Sequence, residues 1–160
     1  MHFKNYQLIV IAIAVLGLIV GVKVFLLKPD SGKVNNEIIN LQSTHDCNLL
    51  DEECQFSKNG LVVKLRFLDK VQTMKTFRLL GTISSDKEKV KSMNAVFSMN
   101  SMEMGLNKFQ FKQGFHSKED DWQSLILLPI CTSKRTDWIM VINIEMENKI
   151  YRAQVPLQIK

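Results

Sequence analysis

The chain has 160 residues, 46% of them apolar, with 21 Lys and Arg against 16 Asp and Glu, a formal net charge of +5. That length fits one domain plus an appendage. Setting aside Lys4, Lys23 and Lys28 leaves 18 basic against 16 acidic residues in 29–160, a net +2 with no basic stripe, so a nucleic-acid partner is excluded.

Residues 1–5 precede the appendage, which is YQLIVIAIAVLGLIVGVKVFLL from Tyr6 to Leu27, 22 residues with one charge. As a helix this run is long enough to cross about 30 Å of hydrocarbon. Lys23 lies close enough to its end for the stem to snorkel to the interface. Because KVFLLKP at 23–29 offers no small-x-small cleavage site, 6–27 reads as an uncleaved transmembrane signal anchor. Lys23, Lys28 and Lys33 on its C-terminal flank outnumber Lys4 on the other, and by the positive-inside rule this favours a cytoplasmic domain.

Residues 28–46, KPDSGKVNNEIINLQSTHD, are polar and read as a linker in which Ile38, Ile39 and Leu41 form a helical turn. The folded domain is expected over 47–160. Three cysteines fall in it, at 47, 54 and 131. Cys47 and Cys54 are close enough for a local disulfide, and pairing of either with Cys131 stays open.

Strand rhythm follows. In LVVKLRFLD (61–69) Val63, Leu65 and Phe67 alternate with Lys64 and Arg66, the period of a half-buried strand. The same alternation recurs at FRLLGTIS (77–84) and SMNAVFSM (92–99). LNKFQF (106–111) and WQSLILL (122–128) flank the polar KQGFHSKEDD, which reads as a hairpin loop joining them. WIMVINIEM (138–146) and IYRAQVPLQI (150–159) are separated by a short turn, and Pro156 demotes part of the last strand to an edge. Seven strands without an amphipathic helix argue for an all-β domain, an immunoglobulin-like antiparallel β-sandwich behind one N-terminal transmembrane helix. The antibody-type Cys, Trp and Cys spacing is absent, so Trp122 and Trp138 read as strand-end aromatics.

Chemistry concentrates in SMNSMEMGLN, where Met99, Met102 and Met104 fall within six residues. Thioethers and thiolates are soft ligands that suit Cu(I). Met102 and Met104 are two apart and project to one side of an extended segment. Together with Cys131 they form the candidate metal set, with a nitrogen from His116 or His45 as the alternative third donor. Methionine is also ordinary core filler, and the alternation of Met99 with Phe97 places Met99 in the core. Asp51-Glu52-Glu53 and Glu119-Asp120-Asp121 lack the spacing of a calcium loop and read as solvated charge. His2 lies before the anchor, apart from any site in the domain. The chain contains no phosphate-cradling Gly-rich loop, G-x-S-x-G, H-E-x-x-H or C-x-x-C, and pairing Cys131 with His116 would rest on residue type alone, so no enzyme is expected.

Taken together, Cys47 and Cys54, then Met102, Met104, Gly105 and Asn107, then Leu128, Pro129, Cys131, Asp137 and Trp138 resemble a group of single-span bacterial membrane proteins related to FixH and YtkA-like domains. The resemblance covers roughly 47–146. It implies an immunoglobulin-like domain on the periplasmic side of the inner membrane, opposite to the lysine count. It further implies copper handling or haem-copper oxidase assembly, with another inner-membrane protein or assembly factor as partner. The alternative expectation is a metal-free structural or interaction module of an inner-membrane complex. Where the group often has Met before Asp-Trp this chain has Thr136, so a role for that methionine does not carry over.

Overall fold

The structure is a computed structural model that describes residues 36–86, 88–99, 107–114, 120–130 and 135–159. The expected anchor at 6–27 lies outside these residues. The described chain is all-β, with strands β1 (Glu37–Asn40), β2 (Gln42–Ser43), β3 (Cys54–Lys58), β4 (Leu61–Phe67), β5 (Thr76–Ser85), β6 (Ser92–Met99), β7 (Lys108–Gln110), β8 (Lys112–Gln113), β9 (Asp121–Leu127), β10 (Asp137–Glu145) and β11 (Lys149–Gln158). They form two sheets, the first in the order β1-β11-β10-β6-β7 and the second in the order β2-β3-β4-β5-β9-β8. Every pairing is antiparallel except that of β1 with β11.

Alternation sends one face of each long strand inward. Trp138, Met140, Ile142 and Ile144 of β10, Tyr151, Ala153, Val155 and Leu157 of β11, and Met93, Ala95, Phe97 and Met99 of β6 are buried from the first sheet. Leu61, Val63 and Leu65 of β4, Phe77, Leu79 and Ile83 of β5, and Trp122 and Ile126 of β9 are buried from the second. All of them join one apolar cluster. The sheets come into close contact where Met93 reaches Gly81, since a Cβ placed on that glycine would lie 2.7 Å from Met93 Cε.

The chain passes directly from one sheet to the other at two places. Leu41 separates β1 from β2: its N–H donates to Arg152 O (2.7 Å) in the first sheet, while the next residue, Gln42, pairs with Ser57 in the second. Phe111 separates β7 from β8 in the same way, its N–H donating to Met93 O (2.9 Å) before Lys112 pairs with Gln123. Both side chains are buried. Such crossings make the corners of packed sheets.

These crossings correct three expectations. The segment 37–41 is extended, not a helical turn, because Ile38 and Ile39 find strand partners in Ile150 and Tyr151, and β-branched side chains suit that pleated surface. Among the described residues sheet pairing is present from Glu37, inside the stretch read as linker. The hairpin expected between 106–111 and 122–128 is instead formed by β8 and β9, because Phe111 turns into the core and leaves β7 on β6. Pro156 lies on β11 beyond the residues that β1 covers, on the expected edge.

One row on the outer face of the first sheet is polar across all five strands. Asn40, Arg152, Asn143, Asn94 and Gln110 stand in register. Arg152 Nε donates to Asn143 Oδ1 (3.0 Å), and Asn143 Nδ2 donates to Asn94 Oδ1 (3.2 Å). Asn94 is thereby buried with a partner, as a polar group away from water requires.

The Gly81 contact leads to a test. Gly81→Ala forces the enclosed Met93 side chain to move and should lower stability by about 1–3 kcal/mol in urea unfolding, the usual cost of overpacking. Combined with Met93→Ala, the two losses should be clearly less than additive, because the second change removes the clash made by the first.

Candidate functional site

Met102, Met104 and Cys131 lie outside the described residues, as do Gly105 and His116. What the structure gives is the framework from which their segments spring. Met99 closes β6 and is buried, and it stands in register with Trp138 at the start of β10. The C-terminal end of β6 and the N-terminal end of β10 are therefore neighbours. Phe97 N–H donates to Asn107 O (3.0 Å), which carries the β6–β7 pairing on to Asn107.

Around this rim the described residues are well tied. Asp137 accepts hydrogen bonds from Arg135 through Nε (2.8 Å) and Nη2, and this pairing holds the Asp137 carboxyl below the usual aspartate range. Its charge thus has a structural partner already. Thr136 O accepts from Ile159 N–H (2.9 Å), and the Thr136 hydroxyl donates to Gln158 Oε1 (3.1 Å). Trp138 is 1% exposed, more deeply set than a strand-end aromatic need be, and its indole N–H has no hydrogen-bond partner among the described residues.

A methionine that the sequence pattern did not single out stands at the same end. Met74 is 61% exposed, takes the left-handed backbone conformation (φ 59°), and donates its N–H to Leu128 O (2.8 Å) just before Pro129 and Ile130. Leu125, Leu127 and Ile130 are exposed nearby along the same strand and its exit. The signal was weak because an isolated Met among Gln72, Thr73 and Lys75 carries no periodicity.

The loop bearing Met74 is fastened at its root by Asp69. The Asp69 carboxylate accepts from Arg78 Nε (2.7 Å), Nη2 (2.7 Å) and backbone N–H (3.0 Å). Arg78 holds the Asp69 carboxyl below its ordinary value, chiefly through the side-chain hydrogen bond. A carboxyl with a lowered folded-state pKa contributes stability above its unfolded pKa of about 4 and loses it as pH falls through the lower folded value.

The disulfide joins Cys47 to Cys54, with Cα atoms 5.8 Å apart, so the local pairing is the one formed. Its loop packs inward through Leu49, which is 2% exposed. Asn48 organises the turn: its carbonyl accepts from Asp51 N–H (3.0 Å) and Glu52 N–H (3.1 Å), and its Oδ1 accepts from Leu50 N–H (3.2 Å). Donor atoms of His45, Cys47 and Glu52 all lie within 4.8 Å of one another in this loop. The sequence pattern offers His45 only as an alternative nitrogen donor to the Met segment, and Glu52 as solvated charge. The fold instead gathers both around Cys47, because β2 and β3 pair antiparallel at the base of the loop and bring 45 back over 52.

The second acidic run divides. Asp120 is exposed, whereas Asp121 is buried and accepts from the Thr82 hydroxyl (2.9 Å), so it is not solvated charge as expected. An open groove of about 560 Å³ lies at the opposite end of the strands from the Met99 rim, lined by Ile83, Glu88, Val90, Gly114, Asp120 and Trp122 among others. It contains no sulfur or imidazole among the described residues.

No family model matches the chain, and no curated protein matches it.

Two tests come from these contacts. Cys47→Ser with Cys54→Ser should lower unfolding free energy by about 2–3 kcal/mol, the loop-entropy value for so short a closure, measured by denaturant unfolding. Asp69→Asn should flatten the acid limb of a pH–stability curve below about pH 4, leaving the neutral-to-alkaline limb parallel to that of the parent.

Proposed function

We propose that the chain is a membrane-anchored, exported domain of immunoglobulin-like β-sandwich type that carries Cu(I) for copper handling or haem-copper oxidase assembly. In this reading 6–27 is the anchor, in the inner membrane of a bacterium, and the domain stands in the periplasm. Met102 and Met104 supply thioether sulfur, and Cys131 supplies thiolate. The observation that supports the reading is the register of Met99 with Trp138, which makes the strand end before residue 100 a neighbour of the strand start that follows residue 134. The donor set is soft throughout, the kind that selects Cu(I) over harder divalent ions. Export draws support from the Cys47–Cys54 disulfide, since such bonds persist in oxidising compartments. The FixH and YtkA-like resemblance belongs to the same proposal.

A second reading has its own observation. Met74, Leu125, Leu127 and Ile130 are large apolar side chains left exposed at one end of the domain, and such a patch suits a metal-free interaction module of an inner-membrane complex.

Cu(I) titration of the full chain in detergent, against a chromophoric competitor, separates the two. The copper reading expects one tightly held equivalent and a loss of at least about tenfold in affinity for Met102→Leu with Met104→Leu, equal to about 1.4 kcal/mol. Equal binding by parent and variant overturns it and leaves the interaction module.

A further inference from the structure

We propose that the Cys47–Cys54 loop is a second metal site, closed while the disulfide is intact and opened to Zn²⁺ when the bond is reduced. The site uses His45, Cys47, Glu52 and Cys54, and it is independent of the copper reading because it shares no ligand with it.

The donor set comes first. His45, Cys47 and Glu52 already hold their ligand atoms within 4.8 Å of one another, and Cys54 Sγ is one bond from Cys47 Sγ. A tetrahedral Zn²⁺ with bonds of about 2.0–2.3 Å keeps its donors roughly 3.3–3.8 Å apart, so shifts on the order of 1 Å complete the shell. Two thiolates, an imidazole and a carboxylate suit Zn²⁺, and the hard oxygen disfavours Cu(I). His45 Nδ1 lies 3.1 Å from the Thr44 hydroxyl, a contact that resembles the outer-shell partner of a metal-binding imidazole. Asp46 and Asp51 add exposed negative charge to the loop that concentrates cations there, while Glu53 is paired with Lys64 (3.9 Å).

The framework does not rely on the sulfur–sulfur bond. Glu52 is set by its N–H to Asn48 O, and Leu49 is sunk in the core. Thr44 N–H donates to Gln55 O (3.1 Å), and Cys54 is paired with Leu65 in the second sheet. Cleaving the bond therefore frees two donors without releasing the backbone that presents them.

The gate is chemical. While oxidised, the cysteine sulfurs carry no charge, and only His45 and Glu52 remain as ligands, too few to hold an ion. Cys47 is half-buried whereas Cys54 is 1% exposed, so a thiolate of an external dithiol reductant attacks Cys47 Sγ. The Cys47–Cys54 bond breaks, Cys54 leaves as thiolate, and a mixed disulfide forms on Cys47. The second thiol of the reductant then attacks its own sulfur in that mixed disulfide, releasing Cys47 and closing the reductant's disulfide. Two electrons and two protons pass to the cysteine pair, and Zn²⁺ displaces the thiol protons on binding.

The test uses the full chain in detergent carrying Cys131→Ser, so that only this pair can supply thiolate. Zn²⁺ is titrated against a chromophoric chelator before and after reduction by a phosphine, with Co²⁺ in place of Zn²⁺ to report thiolate charge-transfer bands. The proposal expects one equivalent bound after reduction, none before, and an affinity at least about tenfold weaker in His45→Ala and in Glu52→Gln. Met102→Leu with Met104→Leu should leave Zn²⁺ binding unchanged, so failure of the copper reading and failure of this one are separable. Binding by the oxidised chain, or reduced binding indifferent to both His45 and Glu52, overturns the proposal. If reduction unfolds the domain, Zn²⁺ must restore its native tryptophan fluorescence; failure to do so also overturns it.

Discussion

Everything in the described domain depends on the two sheets being tied to each other at both lateral edges. At Leu41 and at Phe111 the backbone bonds to one sheet and enters the other at the next residue, while a buried side chain fills the corner. The outermost strands are thus not free ribbons but continuations of each other. Exposed Glu37, Lys108 and Lys112 on these short strands discourage further strand addition at the same borders. With the edges held, the face-to-face approach is set inside by contacts such as Met93 on Gly81, where a side chain on one sheet occupies space that a missing side chain leaves on the other.

That constraint explains what sequence pattern can and cannot reveal. The long strands β4, β5, β6, β9, β10 and β11 are legible because their alternation of apolar and polar residues has the period of the pleat, and they fall within a residue or two of where the pattern puts them. The short strands β1, β2 and β8 are not legible, because two to four residues cannot display a period. Their identity is conferred by partners distant in sequence. β3 had a usable signal, since Asn59-Gly60 adopts positive φ at both residues and joins Lys58 to Leu61 in a two-residue hairpin. Single residues such as Phe111 look like ordinary strand members and act as corners, a role that only three-dimensional packing defines.

The candidate sites show the same division. The local cysteine pair is readable from proximity, but the approach of His45 and Glu52 to Cys47 is not, because it arises from β2 and β3 closing the loop at its base. Conversely, Asp121 looks like free charge in sequence and is occupied by Thr82, while Asp137 of the Asp-Trp pair is occupied by Arg135. Charged residues near strand ends serve the frame first, and only those left over are available for chemistry.

The polar row formed by Asn40, Arg152, Asn143, Asn94 and Gln110 bears on how the first sheet finds its alignment. Hydrophobic alternation forbids a strand from sliding by one position, since that would turn its apolar side outward, but it is blind to a slide of two. Such a slide keeps every greasy residue inside and is the natural error of a regular sheet. Here a slide of β10 against β6 would carry Asn143 away from Asn94 to face Val96 or Ser92, and a slide of β10 against β11 would part Arg152 from Asn143. A single polar level on an otherwise repetitive surface therefore works as an index mark, telling the strands which of several equally oily alignments is the native one.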